Sequence, residues 1–173
     1  ESKRISLLIK SLLFLSRQDK DILANTVEDV CLPRMLREQY AGRPRIRLSS
    51  TLREENDFIV RANPYLLGIA LQNVVDNACK YSDKDVEISL FEKEGRRVVE
   101  IRDQGIGIPQ EEVELIFQSF YRASNTRSYK GQGIGLSISL KIISTYGGQM
   151  GIHSEEGHFT TVSITFPLSL AEE

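Results

Sequence analysis

The chain has 173 residues, a formal net charge of -2, 40% hydrophobic and 27% charged residues. That length carries one domain with its own core, and the balance is that of a globular rather than a disordered protein. The near-neutral charge leaves no basic footprint for nucleic acid, and no run reaches the ~18 apolar residues that a membrane span needs.

Residues 4–17, RISLLIKSLLFLSR, space Ile5, Leu8, Leu12 and Leu15 by threes and fours. This short seam suits either pairing with another helix or packing on its own domain. The polar stretch 19–27 reads as a linker. A helix is expected over 28–40, with Val30, Leu32, Met35 and Leu36 on one side and Pro33 restricting its start. AGRPR (41–45) is a turn, and IRLSS and FIVRA read as strands around the charged TLREEND. Asn63 as cap and Pro64 in the first turn open a helix running to about Tyr81. DVEISLFEKEG and RRVVEIRDQG alternate as two strands joined by a turn at Glu94-Gly95. PQEEVELIFQSF suggests a short helix with an acidic first turn. Residues 122–132 lack hydrophobic periodicity and read as a mobile loop. GIGLSISLKIISTYGG is a helix stopped by Gly147-Gly148, and QMGIHSEE with TTVSITFPL makes a final hairpin. Their order predicts an α+β, two-layer sandwich: a mixed, mostly antiparallel sheet with helices on one face.

Cys31 and Cys79 fit no metal spacing and read as buried thiols in a reducing compartment. The chain opens on Glu rather than Met and shows no signal peptide, so it reads as part of a longer protein with room for an upstream anchor.

On the helix from 64 to 81, Leu67, Leu71, Val74, Ala78 and Tyr81 share an apolar sector, and Gln72 and Asp76 fall opposite, toward water. Asn73, Asn77 and Lys80 stand at i, i+4 and i+7 on the shoulder between them. They are either polar residues bonded to neighbouring loops or the wall of a cleft. An amide oxygen there is a hard ligand of the kind Mg²⁺ takes, and an ammonium is a point charge for phosphate. Two glycine segments add to the cleft reading. DQGIGIP (103–109) follows a strand, and GQGIGL (131–136) opens a helix whose free N–H groups suit an anion. Neither is a Walker loop or a dinucleotide fingerprint, because the Lys-Ser/Thr pair and the strand–helix–strand setting are missing.

Taken together, the asparagine helix, D-x-G-x-G after a strand, FQSFYR, and G-x-G-x-G at a helix start resemble the ATP-binding domain of bacterial sensor histidine kinases, a GHKL family with the Bergerat-type fold. The match runs from about residue 28 to 168. The resemblance implies Mg-ATP as the nucleotide, with Asn77 as magnesium ligand beside Asn73 and Lys80 on phosphate. It implies Tyr81 against adenine and Asp103 accepting from the adenine amino group. Gly105, Gly107 and Ile108 would shape the adenine pocket, and Phe117 and Phe120 would lie beneath a lid with Arg122 near the phosphates. Gly131, Gly133, Gly135 and Leu136 would form the lid hinge and phosphate cradle. Arg127 and Lys130 are either contacts to the terminal phosphate or solvated loop charges.

By the same resemblance, residues 1–20 are the end of the second dimerisation helix, 21–27 a linker and 28–170 the catalytic domain. The segment bearing the phosphoacceptor histidine is absent, and His153 and His158 lie in the final hairpin, outside any helical acceptor context. The expected partners are ATP, that histidine-bearing domain of a homodimeric parent, and a response-regulator receiver domain. Nucleic acid and membrane contact by this piece are not expected, and a cytoplasmic location follows. ATPases of this superfamily carry a glutamate four residues before the magnesium asparagine; here that position is Asn73, which takes no proton at neutral pH. Phosphotransfer is therefore favoured over hydrolysis. The alternatives are a GHKL-type ATPase and a nucleotide-binding interaction module. The last hairpin departs from the pattern at His158-Phe159, which bears on local loop geometry.

Overall fold

The structure is a computed structural model that describes residues 27–52 and 58–168. The seam at 4–17, the dimerisation-helix reading of 1–20 and nearly all of the linker lie outside the described residues.

Among the described residues, seven strands form two sheets. β1 (Glu28–Cys31) and β3 (Ile59–Ala62) pair antiparallel as a small ribbon. β2 (Ile46–Ser50), β4 (Val86–Lys93), β5 (Arg96–Asp103), β6 (Gln149–Glu155) and β7 (Phe159–Pro167) form a sheet in the order β2-β4-β5-β7-β6. Among the described residues, only β2 and β4 run parallel; the other pairs of this sheet are antiparallel. β4 and β5 are joined by the expected two-residue turn. Glu94 and Gly95 both take positive φ, 52° and 69°, which matches the twist of a hairpin.

Strand alternation fixes which face is buried. Val86, Ile88 and Leu90 of β4, Val99 and Ile101 of β5, and Ile164 and Phe166 of β7 share one core with the helices. That core is closed by α1 (Leu32–Tyr40), α2 (Pro64–Tyr81) and α3 (Gly135–Thr145). Truncating a fully buried side chain here, such as Leu71 or Ile142, costs about 2–5 kcal/mol. The expected two-layer α+β arrangement is the one observed.

α2 starts as its sequence predicts: Asn63 Oδ1 accepts from the Leu66 amide at 3.1 Å, and Pro64 needs no donor in the first turn. α3 ends in a Schellman closure. The Gly148 amide reaches Ile143 O at 2.9 Å and that of Gly147 reaches Ser144 O at 3.2 Å, with Gly147 at φ 80°. Ser139, fully buried, donates to Ala70 O at 2.8 Å and ties α3 to α2.

Four expectations need correction. Residues 28–31 are a strand rather than the start of a helix. Pro33 lacks an amide and is tolerated only in the first helical turn, so α1 begins at Leu32. The short helix expected over PQEEVELIFQSF is two 3-10 turns, Gln110–Glu112 and Leu115–Phe117. Gln72 and Asp76, expected to face water, are half-buried: Tyr40 of α1 donates to Gln72 Oε1 at 3.4 Å and Gln72 donates to Asp76 at 2.6 Å. Cys31 and Cys79 form no disulfide among the described residues and are half-buried rather than fully so. Among the described residues, no helix is long and apolar enough to cross a membrane.

Candidate functional site

The C-terminal half of α2, the turn after β5, the start of α3 and the segment before it enclose a cleft of about 700 Å³. Its floor is the inner face of β5 and β7. Ile101 and Val162 are apolar there, and Asp103 stands paired in register with Thr160.

Asp103 is only 5% exposed. Burial pushes its carboxyl up to about 6, partly offset by the hydrogen bond from the Gly105 amide, by the Arg102 charge and by the backbone at Thr160. The Gly105 amide donates to Asp103 Oδ1 at 2.8 Å, which fixes the carboxylate at the turn. This is a buried acceptor in a largely apolar slot.

The glycines of DQGIGIP pack backbone on backbone. A Cβ at Gly105 would fall 2.0 Å from Tyr81 O, and one at Gly107 would fall 2.0 Å from Glu155 O. The Ile106 amide donates to Tyr81 O at 3.1 Å, and the Gly157 amide donates to Ile106 O at 2.7 Å. The turn thus locks the C-terminal end of α2 to the β6–β7 turn. Gly107 and Ile108 line the cleft, whereas Gly105 lines an adjoining recess on the far side of Tyr81. The Ile108 amide donates to Ser154 Oγ at 2.9 Å.

Asn73, Asn77, Lys80 and Tyr81 all line the cleft, so the shoulder of α2 is its wall. Asn73 Nδ2 donates to Gly135 O at 3.2 Å, reaching across to the first residue of α3. Lys80 Nζ donates to the Tyr81 hydroxyl at 3.0 Å and stands 4.7 Å from its ring centroid. Gly131 comes close enough that a Cβ would sit 2.6 Å from Lys80 Nζ. α3 begins after Ile134 with no side chain capping its first turn, so its leading amides remain available to an anion. Gly133, Gly135 and Leu136 line the cleft beside them. Gly133 needs its glycine, because φ is 71° and a Cβ would meet Tyr121 O at 2.3 Å.

The segment between Phe120 and Gly133 forms a flap over this end, containing a 3-10 turn at Ser124–Thr126. Arg122 lines the cleft, and its guanidinium donates to Thr126 O at 2.7 Å and to Tyr129 O. The Tyr129 ring packs edge-on against Tyr81, with centroids 5.1 Å apart. At the flap's root, Glu112 accepts from the Tyr121 hydroxyl at 2.8 Å and the Ser124 amide at 3.0 Å, and these hydrogen bonds hold its carboxyl below the ordinary range. Lys130 lines the cleft, while Arg127 does not. Phe120, expected beneath the flap, is 69% exposed and stays out of the cleft. Its φ of 70°, with its amide bonded to Gly133 O at 2.8 Å, turns the side chain outward. Phe117 is half-buried beside α3 and also stays out of the lining.

Sequence reasoning missed Thr160, Ile116, Tyr121 and Thr126 as cleft residues. Thr160 was legible in principle, since it shares the inward parity of Val162 and Ile164 on β7. The flap residues carry no such signal. Among the described residues, no group of three or more His, Cys, Asp or Glu could hold a metal. A cation here would be held by amide oxygen and by a ligand's own oxygens, a donor set that suits Mg²⁺.

The geometry agrees with comparisons to known proteins. The profile described as histidine kinase-, DNA gyrase B-, and HSP90-like ATPase matches residues 62–170. The sensor histidine kinase YkoH of Bacillus subtilis is 36% identical over 115 residues, covering 65% of this chain and 25% of that protein. The signal transduction histidine-protein kinase ArlS of Staphylococcus haemolyticus is 32% identical over 173 residues, covering 96% of this chain. The chain spans 38% of the length of that relative. Among solved structures, a mycobacterial sensor histidine kinase, MprB, superposes with a TM-score of 0.64 at 29% identity, covering 82% of this chain and 97% of that one. Full-length ShkA in complex with AMPPNP, at 22% identity and a TM-score of 0.67 over 86% of this chain and 32% of that one, shares the fold. The chain belongs to the histidine kinase-, DNA gyrase B- and HSP90-like ATPase family, with relatives that are sensor histidine kinases.

Proposed function

We propose that this chain binds Mg-ATP in the cleft and passes the terminal phosphate to a histidine on a separate dimerisation segment of the parent sensor kinase, for relay to a response-regulator receiver domain. The observation that carries the reading is the cleft's polarity. A buried acceptor, Asp103, stands beside the apolar Ile101 and Val162, and Asn77, Lys80 and the uncapped start of α3 line the same cleft. That set suits an adenine amino group at Asp103 and a triphosphate at Lys80 and the helix start.

In this reading Asp103 accepts from the adenine amino group and Tyr81 packs on the ring. Lys80 leaves the Tyr81 hydroxyl for phosphate oxygens, and the amides at Gly133, Gly135 and Leu136 cradle them. Arg122 and Lys130 stand at the same end, and Asn77 offers its amide oxygen to Mg²⁺. Bound there, Mg²⁺ neutralises charge on the triphosphate. The chain's own work is to hold the terminal phosphate in position and keep water out, while the nucleophile comes from elsewhere. Residues 1–20 as the end of a dimerisation helix, 21–27 as a linker, and a cytoplasmic location belong to the same proposal.

Hydrolysis is the rival reading. Asn73 occupies the position where the related ATPases carry a glutamate, and its amide nitrogen is committed to Gly135 O. It offers no base for water, which favours transfer. The test is to mix this chain with Mg-ATP and a separately made dimerisation segment carrying the histidine. Acid-labile phosphate on that segment is the expected result. Free phosphate released without labelling would make the protein an ATPase, and neither product would make it a binding module.

A further inference from the structure

Arg45 stands outside the cleft, yet it grips the helix that carries the cleft's polar wall. Its Nη1 lies 3.4 Å from Cys79 O, and its Nη2 donates to Lys84 O at 3.0 Å and to Ser82 O. These carbonyls sit at the C-terminal end of α2 and just beyond it, where a helix leaves acceptors unsatisfied and favours positive charge. The backbone of Arg45 is bound as well, since its carbonyl accepts from the Val86 amide at 2.7 Å. One residue therefore joins the start of β2, the end of α2 and the start of β4.

Two costs accompany this placement. Arg45 takes φ 67°, a left-handed conformation that disfavours any residue with a Cβ. Its Nε is buried with no hydrogen-bond partner. A turn of sequence AGRPR would lose nothing locally by placing glycine here. The arginine is thus retained against local preference, and its guanidinium contacts are what it gains.

The gripped carbonyls of Cys79 and Ser82 flank Lys80 and Tyr81 along the chain. The same turn of α2 is also held at Tyr81 O, which accepts from the amide of Ile106, the residue after Gly105. We infer that Arg45 is a positioning residue for the nucleotide site, clamping the last turn of α2 so that Lys80 and Tyr81 are pre-set for their ligand. The inference rests on the nucleotide reading of the cleft, and its test carries one readout that needs no nucleotide.

The informative variant is Arg45→Gly in the full chain, because glycine accepts the left-handed backbone, so the side chain and its guanidinium are removed without adding backbone strain. Amide hydrogen exchange on the free protein is expected to speed at least tenfold at Ile106, with the core amides of Val74 and Val75 unchanged. Affinity for Mg-ATP is expected to fall about tenfold and to recover when guanidinium ion is added at millimolar concentration. Arg45→Lys, which reaches fewer carbonyls at once, should fall between. Unchanged exchange at Ile106, or lost affinity that guanidinium fails to restore, would overturn the clamp. If the parent protein itself binds no Mg-ATP while Arg45→Gly still loosens Ile106, the clamp stands and the nucleotide reading fails.

Discussion

Asn73 and Gly135 are joined across the cleft: the Asn73 amide donates to the Gly135 carbonyl at 3.2 Å. That bond connects the asparagine row of α2 to the first residue of α3, whose first turn has no side-chain cap and whose Gly135 and Leu136 line the same cleft. Asn73, read from sequence as a catalytic-site residue beside the metal ligand, is therefore also a strut between the two helices. Asn73→Ala should lower stability by about 1 kcal/mol, the usual worth of a hydrogen bond. It should also weaken Mg-ATP binding by loosening the cradle. Thermal unfolding and calorimetric titration check the two effects separately.

Asp103 makes the site sensitive to pH. Its carboxyl is raised to about 6 in the folded chain against an ordinary 3.8. The folded state therefore holds a proton that the unfolded state has released between those values. Stability from this group is complete below about 3.8 and is lost as pH rises through 6. Adenine recognition runs the other way, because the ionised form is the stronger acceptor. Adenosine, which brings no phosphate titration of its own, should bind more weakly as pH falls below 6. Asp103→Asn should weaken adenosine binding at pH 7 and flatten that profile without unfolding the domain. Equal affinity for the variant would remove the carboxylate from the account.

Arg122 lines the cleft and also holds the flap by the flap's own carbonyls, with Thr126 O at 2.7 Å. Arg122→Ala should free the turn that follows. The Tyr129 amide, bonded to Thr126 O at 3.0 Å, should exchange faster, and protease cleavage within 123–132 should increase. Saturating Mg-ATP should slow that cleavage in the parent protein if the flap closes on nucleotide.

Much of the frame was written in the sequence. The Asn63-Pro64 start of α2, the Gly147-Gly148 end of α3, and the Glu94-Gly95 turn are local signals, and each is realised by the expected local bond or dihedral. Failures came where tertiary contact decides. Residues 28–31 have helix-compatible spacing but are taken up by pairing with β3. The 110–117 stretch is apolar enough for a helix, yet forms separate 3-10 turns that aim Ile116 at the cleft. The asparagine row, Asp103 and most of the glycines were legible as a site because spacing along one helix and one turn carries them. Arg45 and Thr160 were not, since one acts across 34 residues of chain on Cys79 and the other through strand register. Gly105 and Gly107, placed by resemblance at the adenine pocket, also admit the neighbouring backbones at Tyr81 and Glu155, which the sequence does not show.

The central claim is a magnesium-dependent nucleotide held beside Asn77. A calorimetric titration of ATP into this chain, with excess magnesium and again with chelator, compared against Asn77→Ala, tests it most directly. The account predicts tight binding only for the parent protein with magnesium, and loss of that magnesium dependence in Asn77→Ala. Identical isotherms for the two proteins in magnesium would contradict it.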